Sequence, residues 1–234
     1  TSSALPMAVD FSVGKISKAL SFTDRVVALR RTDIPVAASA QGTYAATFAL
    51  GPVVLKRGWI RLSVEHEGVP HHFVTTHLET QGLAPIQAGQ TAELLGSVVA
   101  GLDGVTILAG DLNSDAAAGP GAPSWTPTYG TLLAAGFVDA WTQSAQRPWD
   151  AGFTCCQEAD LRNGASMLDE RIDFVMIRAS DDPSAAERVP GSVGVEIVGE
   201  EQADRTASGL WRADHAGLVA GLRLPRGLNA VAPR

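Results

Sequence analysis

Residues 105–113 read Val105-Thr106-Ile107-Leu108-Ala109-Gly110-Asp111-Leu112-Asn113. The first five form an unbroken strand-forming run of the kind a sheet buries on both faces. The run stops abruptly at Gly110-Asp111, and an asparagine follows two residues later. An aspartate in that place can simply cap the turn after its strand. The asparagine beside it argues for more, because strand ends are where α/β folds gather functional groups.

Three other segments share this layout of polar residues closing an apolar strand. They are Thr75-Thr76-His77-Leu78-Glu79, Glu170-Arg171-Ile172-Asp173-Phe174 and Trp211-Arg212-Ala213-Asp214-His215. Together the four segments offer two histidines, three aspartates and an asparagine. That set suits hydrolysis of a phosphate ester: carboxylates for a metal, imidazole for proton transfer, an amide for charge stabilisation.

The stretches between them supply the frame. Val26 to Arg30 read as a short strand, and Thr43 to Leu50 alternate loosely. In Trp59 to Val64, Trp59, Arg61 and Ser63 fall on one side and Ile60, Leu62 and Val64 on the other. Glu67-Gly68 is a turn signal that joins this run to His72–Thr76 as a hairpin. Pro85 opens a helix with Ala88, Thr91, Leu95, Val98 and Leu102 at helical spacing, and Leu94 and Val99 broaden the apolar stripe. Residues 116–128 form a loop, Tyr129 to Ala135 a short helix, and Gly136 its C-cap. Ile172 to Ile177, Val193 to Val198 and Leu218 to Leu224 are strands. Residues 1–23 give a weak pattern, and 225–234 read as a frayed tail.

Composition sets the bounds. The 234 residues are 45% hydrophobic with a net charge of -7. A chain of this length can bury roughly 70% of its unfolded surface, and no linker divides it, so one domain over 1–234 is expected. The acidic balance argues against unassisted binding to a polyanion, although a metal cation neutralises a phosphate locally. No apolar run reaches the length of a membrane span. No signal peptide opens the given chain, which starts at Thr1. Compartment and oligomeric state are open. Cys155 and Cys156 are adjacent, which favours two small buried thiols over an ordinary bridge.

The four segments, in this order, resemble the endonuclease/exonuclease/phosphatase superfamily, with its Thr-His-Leu, Gly-Asp-Leu/Phe-Asn, Arg-Ile-Asp and Ser-Asp-His marks. Gly136-Phe137-Val138-Asp139-Ala140-Trp141 resembles a further segment of it. The likeness runs from about Asp24 to about Leu224. It implies an α/β fold of two mixed, mainly antiparallel β-sheets packed as a sandwich with helices on the outside. It also implies a metal-dependent phosphoric ester hydrolase of the phosphodiesterase or nuclease type, using Mg²⁺ or Mn²⁺. The substrate class, whether nucleic acid, lipid head group or small molecule, is left open.

By the same resemblance, Asp111 orients or deprotonates the attacking water and Asn113 bonds that water or the phosphate oxygens. His77 contacts the phosphate or acts as an acid, Asp214 sits at the metal, and His215 acts on the phosphate or as general base. Asp173 holds His215 through its other ring nitrogen. Whether Asp111 or His215 takes the proton is not settled by sequence. Arg171 is expected to brace its strand end, and Asp139 a turn beside Trp141.

The chain departs from the pattern in two places. Ala213 stands where the superfamily has Ser, and the early strands carrying the metal-binding Glu are not found, since the first glutamate is Glu65. Glu79 is not expected to replace it. That departure keeps a second reading open, a catalytically impaired remnant or binding module of the same fold. The remaining candidates have plainer readings. His66, His71 and His72 flank the turn as structural residues. Trp125, Trp149 and Trp211 suit packing better than a substrate wall. Glu196 to Asp204 suits a solvated edge.

Overall fold

The computed structural model describes residues 9–11, 20–22, 25–50, 53–144, 150–179 and 191–224. The tail at 225–234, most of 1–23, and Trp149 lie outside these. Strands β1 (Val9–Phe11) and β2 (Leu20–Phe22) pair antiparallel. β3 (Ala38–Thr43) follows, then the short pair β4 (Phe48–Leu50) and β5 (Val53–Leu55). Next come β6 (Gly58–His66) and β7 (Val69–His77). They are joined through Glu67 and Gly68, whose φ of 51° and 75° are those of a two-residue type I′ turn.

Helix α1 (Ala84–Glu93) begins with Pro85 in its first turn, where the missing N–H costs nothing. A wider π turn over Leu94–Val98 continues it; of the expected stripe Leu94, Val98 and Val99 are deeply buried, and Leu95 and Leu102 pack partly buried against the same core. β8 (Val105–Asp111), α2 (Thr128–Ala134), β9 (Val138–Asp139), α3 (Ala140–Gln143), β10 (Asp173–Arg178), β11 (Gly191–Val198) and β12 (Gly217–Arg223) complete the order.

Six strands form one sheet in the order β3-β6-β7-β8-β10-β9. β7 and β8 run parallel, with α1 as the crossover, and the other four pairings are antiparallel. The strand interiors are apolar on both faces, so both faces must be covered. On one face Val74, Leu108, Phe174 and Met176 pack under Leu94, Val98 and Val99 of the α1 segment and Leu132 of α2. On the other, Val105, Ile107 and Ile177 pack against Val195, Leu218 and Leu222 of the β11–β12 hairpin. The result is the expected α/β sandwich of mixed, mainly antiparallel sheets with helices outside. Among the described residues no helix is long and apolar enough to cross a membrane.

Two expectations need correction. Val26 to Arg30 is not a paired strand: Val26 is buried on Ile60 and Leu62 while Val27 and Leu29 are exposed. The apolar run lies over the sheet face instead of extending an edge. Cys155 and Cys156 are not thiols but are bonded to each other, Cys155 buried and Cys156 exposed.

Candidate active site

The sheet topology brings three of the four motifs to one end. In the parallel β7–β8 ladder His77 is paired with Asp111, and in the antiparallel β8–β10 ladder Asp111 is paired with Asp173. His77, Asp111 and Asp173 therefore stand on three adjacent strands. Gly110 lets β7 and β8 approach there. Its φ is 153°, and a Cβ would meet the Thr76 carbonyl oxygen at 2.0 Å. His215 reaches the same place from the segment before β12, whose backbone bridges to Cys155.

Hydrogen bonds lock this group. Asp173 Oδ2 accepts from His215 Nδ1 at 2.8 Å. Asp111 Oδ2 faces His77 Nε2 at 3.2 Å, and Asp111 Oδ1 accepts from the Asn113 backbone N–H at 2.8 Å. That bond holds Asn113 in a left-handed turn, φ 48°, which asparagine tolerates better than most residues. The Asn113 amide donates to the Leu78 carbonyl at 3.0 Å. His77, Asp111, Asp173 and His215 keep 34, 16, 22 and 28% of their side-chain surface, so they are held by protein yet open to a small ligand.

A buried layer supports them. Gln87 of α1 donates to the carbonyls of Glu79 and Asn113, both at 2.6 Å, and accepts from Thr126 and Thr128. One amide thus ties the ends of β7 and β8 to the loop before α2. Its signal in the sequence was faint, a glutamine four residues before Thr91 on the helix's buried side. Arg171 is buried, donates to Asp139 Oδ2 at 2.5 Å and lies over the rings of Tyr129 and Phe174. Asp139 also caps α3 by accepting from the Trp141 N–H at 3.0 Å. Trp211 is in the core, its indole donating to the Asn163 carbonyl. His71 and His72 lie toward the opposite end of β7 from His77, bonded to Val69, Ser63 and Asp103.

Electrostatics follow from this crowding. Burial pushes the Asp111 carboxyl above its usual range, the neighbouring Asp173 adds to the effect, and His77 opposes it. The Asp173 hydrogen bond raises His215 to about 9 against the cost of its burial. Asp111, Asp173 and His215 place one ligand atom each within 4.8 Å of one another, so they could hold a metal ion. Two carboxylates crowded together are relieved by a cation, and two oxygens with one imidazole nitrogen suit a divalent one. Asp214, expected at the metal, is exposed beside His215 and raises its basicity, but it is not one of these three donors. Glu79 is 2% exposed and its carboxylate accepts from Arg57 at 3.1 Å and from the Thr80 N–H at 3.0 Å.

Arg57 is the residue that no motif flags. It sits in the two-residue link between β5 and β6, 20 residues before His77, and its Nη1 lies 2.9 Å from His77 Nδ1 and 3.1 Å from Nε2. An Nδ1 that accepts from Arg57 and an Nε2–H that donates to Asp111 satisfy both neighbours, which assigns the tautomer from the network.

No protein-family model matches the chain, and no curated protein does so either. Solved structures do match. An endonuclease/exonuclease/phosphatase family protein from Leptotrichia buccalis is 14% identical, with a TM-score of 0.59 over 96% of this chain and 72% of that one. An endonuclease/exonuclease/phosphatase from Beutenbergia cavernae is 21% identical, with a TM-score of 0.60 over 94% of this chain and 53% of that one. TDP2 of D. rerio, complexed with single-strand DNA product, is 17% identical, with a TM-score of 0.56 over 79% of this chain and 67% of that one. The protein has the endonuclease/exonuclease/phosphatase fold.

Proposed function

We propose that this chain hydrolyses phosphate esters, phosphodiesters in particular, by attack of water at phosphorus with Mg²⁺ or Mn²⁺ bound. The observation that carries the reading is the meeting of His77, Asp111, Asn113, Asp173 and His215 at one end of the sheet. In the reaction the water oxygen bonds to phosphorus, the bond from phosphorus to the leaving alcohol breaks, and the alcohol oxygen gains a proton. Asp111 orients the water, and either Asp111 or His215 accepts its proton. Asp173 fixes the His215 ring so that Nε2 is the nitrogen presented to substrate. Asn113 and His77 would donate to the phosphoryl oxygens as charge builds on them, exchanging their bonds to Leu78 and Asp111 for the substrate. Asp111 and Asp173, with Asp214 beside them, would hold the metal, which would neutralise phosphoryl charge and activate water, leaving His215 Nε2 to the substrate. The DNA product in the D. rerio neighbour makes nucleic acid one substrate class to include.

One observation favours the second reading, a non-catalytic member of the fold. Among the described residues no glutamate joins the three metal-capable donors, and Glu79 is engaged with Arg57. A panel of phosphodiesters and phosphomonoesters, assayed with and without Mg²⁺ or Mn²⁺, separates the two. Metal-dependent turnover that Asp111→Asn lowers at least about a hundredfold supports the enzyme. A folded protein inert on every class supports the binding module.

A further inference from the structure

We propose that Arg57, aimed by Glu79, is the cationic contact for a phosphoryl oxygen of the substrate. The inference deepens the phosphate-ester reading above and rests on it. It starts from charge. The chain carries a net charge of -7, and Asp111, Asp173, Asp214 and Glu79 all stand at or near the site. An anionic substrate entering such a field needs a local cation. Arg171 does not supply it, because its guanidinium is buried on Asp139 and two aromatic rings. Arg57 is placed to do so. Its Nη1 lies against His77, whose Nε2 faces Asp111, so two hydrogen-bond lengths separate the guanidinium from the carboxylate that would orient the water.

The geometry around Arg57 is that of a held tool more than a stabilising pair. The Arg57 carbonyl accepts from the N–H of buried Tyr44, which fixes the backbone. Nη2 is bound by Glu79 Oε1 and Nη1 by His77, so the plane of the guanidinium is set at two points. Arginine presents five donors in a rigid fork matched to phosphate oxygens, so fixing the plane also fixes the direction of approach. The ion pair is nearly out of water, with 13% of the Arg57 and 2% of the Glu79 side chain exposed, and Glu79 Oε2 is buried with no hydrogen-bond partner. Burying two charges with one carboxylate oxygen unsatisfied is a poor way to gain stability. It is a reasonable way to keep a guanidinium rigid beside a reacting group. Glu79 is then a positioning residue, acting through Arg57.

The test uses inorganic phosphate as probe, read by ³¹P NMR line broadening, beside KM and kcat for bis(p-nitrophenyl) phosphate. Arg57→Ala is expected to weaken phosphate binding about ten- to hundredfold, with Arg57→Lys retaining part of it. Glu79→Gln, nearly isosteric, is expected to weaken binding several-fold while the wild-type circular dichroism spectrum persists; it also serves if Arg57→Ala does not fold. Unchanged phosphate affinity and unchanged KM in folded Arg57 and Glu79 variants would overturn the proposal, as would a wild type that binds no phosphate. Wild-type phosphate binding that depends on Arg57, with no turnover of any ester, would instead defeat the hydrolase reading and leave the anion contact standing.

Discussion

At the scale of single residues, the Asp173–His215 contact makes the sharpest demand. A carboxylate 2.8 Å from Nδ1 favours the charged ring, and His215 is raised to about 9. The folded value lies above the unfolded one of about 6.5. Stability from the pair is therefore fully present below about pH 6.5 and is lost as pH rises towards and through about 9. NMR titration of the metal-free protein should show the His215 ring titrating well above the ordinary histidine range, and Asp173→Asn should bring it down by at least about one unit. An identical titration in both proteins would rule the pair out. Asp111 points to a second measurement. Its carboxyl is buried and crowded by Asp173, so a divalent ion bound there relieves repulsion and stabilises the fold by mass action. Millimolar Mn²⁺ should raise the melting temperature, and Asp111→Asn should remove most of that rise. The site residues named from sequence were legible because each lies in a short motif at one end of an apolar strand: His77 and Asp111 close β7 and β8, Asn113 follows β8, Asp173 opens β10, and Asp214 and His215 precede β12. Arg57 and Gln87 were not, because their partners lie 20 and 26 residues away in the chain, at His77 and Asn113. That proximity is created by folding.

At the scale of elements, the β7–β8 junction carries the site, and Gly110 is its weak point. Replacing it with alanine puts a methyl 2.0 Å from the Thr76 carbonyl oxygen in a backbone conformation that side chains avoid. Urea unfolding of Gly110→Ala should show a loss of about 2–3 kcal/mol, and the strand ends bearing His77 and Asp111 should separate. Unchanged stability would mean that the two strands are free to part there. Strands and hairpins were legible wherever period or turn chemistry was strong: the alternation from Trp59 to Val64, the Glu67-Gly68 turn, and the apolar run before Asp111. Two kinds of element were not. The π turn after α1 leaves Leu94 more deeply buried than Leu95 and Leu102, and local propensity carries no mark of it. Val26 to Arg30 is a short apolar run that reads as a strand, yet its partner is a sheet face and not a sheet edge, a tertiary choice that a local run cannot encode.

At the scale of the whole molecule, the sandwich is unevenly covered. The β11–β12 hairpin packs over β8 and β10, while β6 on the same face is met by Val26, Ala28 and Val36. Between the 27–36 segment and the sheet lies an apolar groove of about 450 Å³, with Leu29 and Val36 on one side and Leu62, Val64, Phe73 and Ile107 on the other, Phe73 being 39% exposed. An exposed apolar face of this kind takes up hydrophobic probes. The native protein should therefore enhance anilinonaphthalene sulfonate fluorescence, and Phe73→Ser should reduce the signal without unfolding the chain. The opposite charge character belongs to the cleft, where acidic and basic groups converge from β7, β8, β10 and the segment before β12. The claim that this cleft is a hydrolytic centre is tested most directly by one comparison. Release of p-nitrophenol from bis(p-nitrophenyl) phosphate, with Mn²⁺ present, should be measurable for the wild type and fall about 10²- to 10⁴-fold in folded His215→Ala. Equal rates in the two proteins would contradict it.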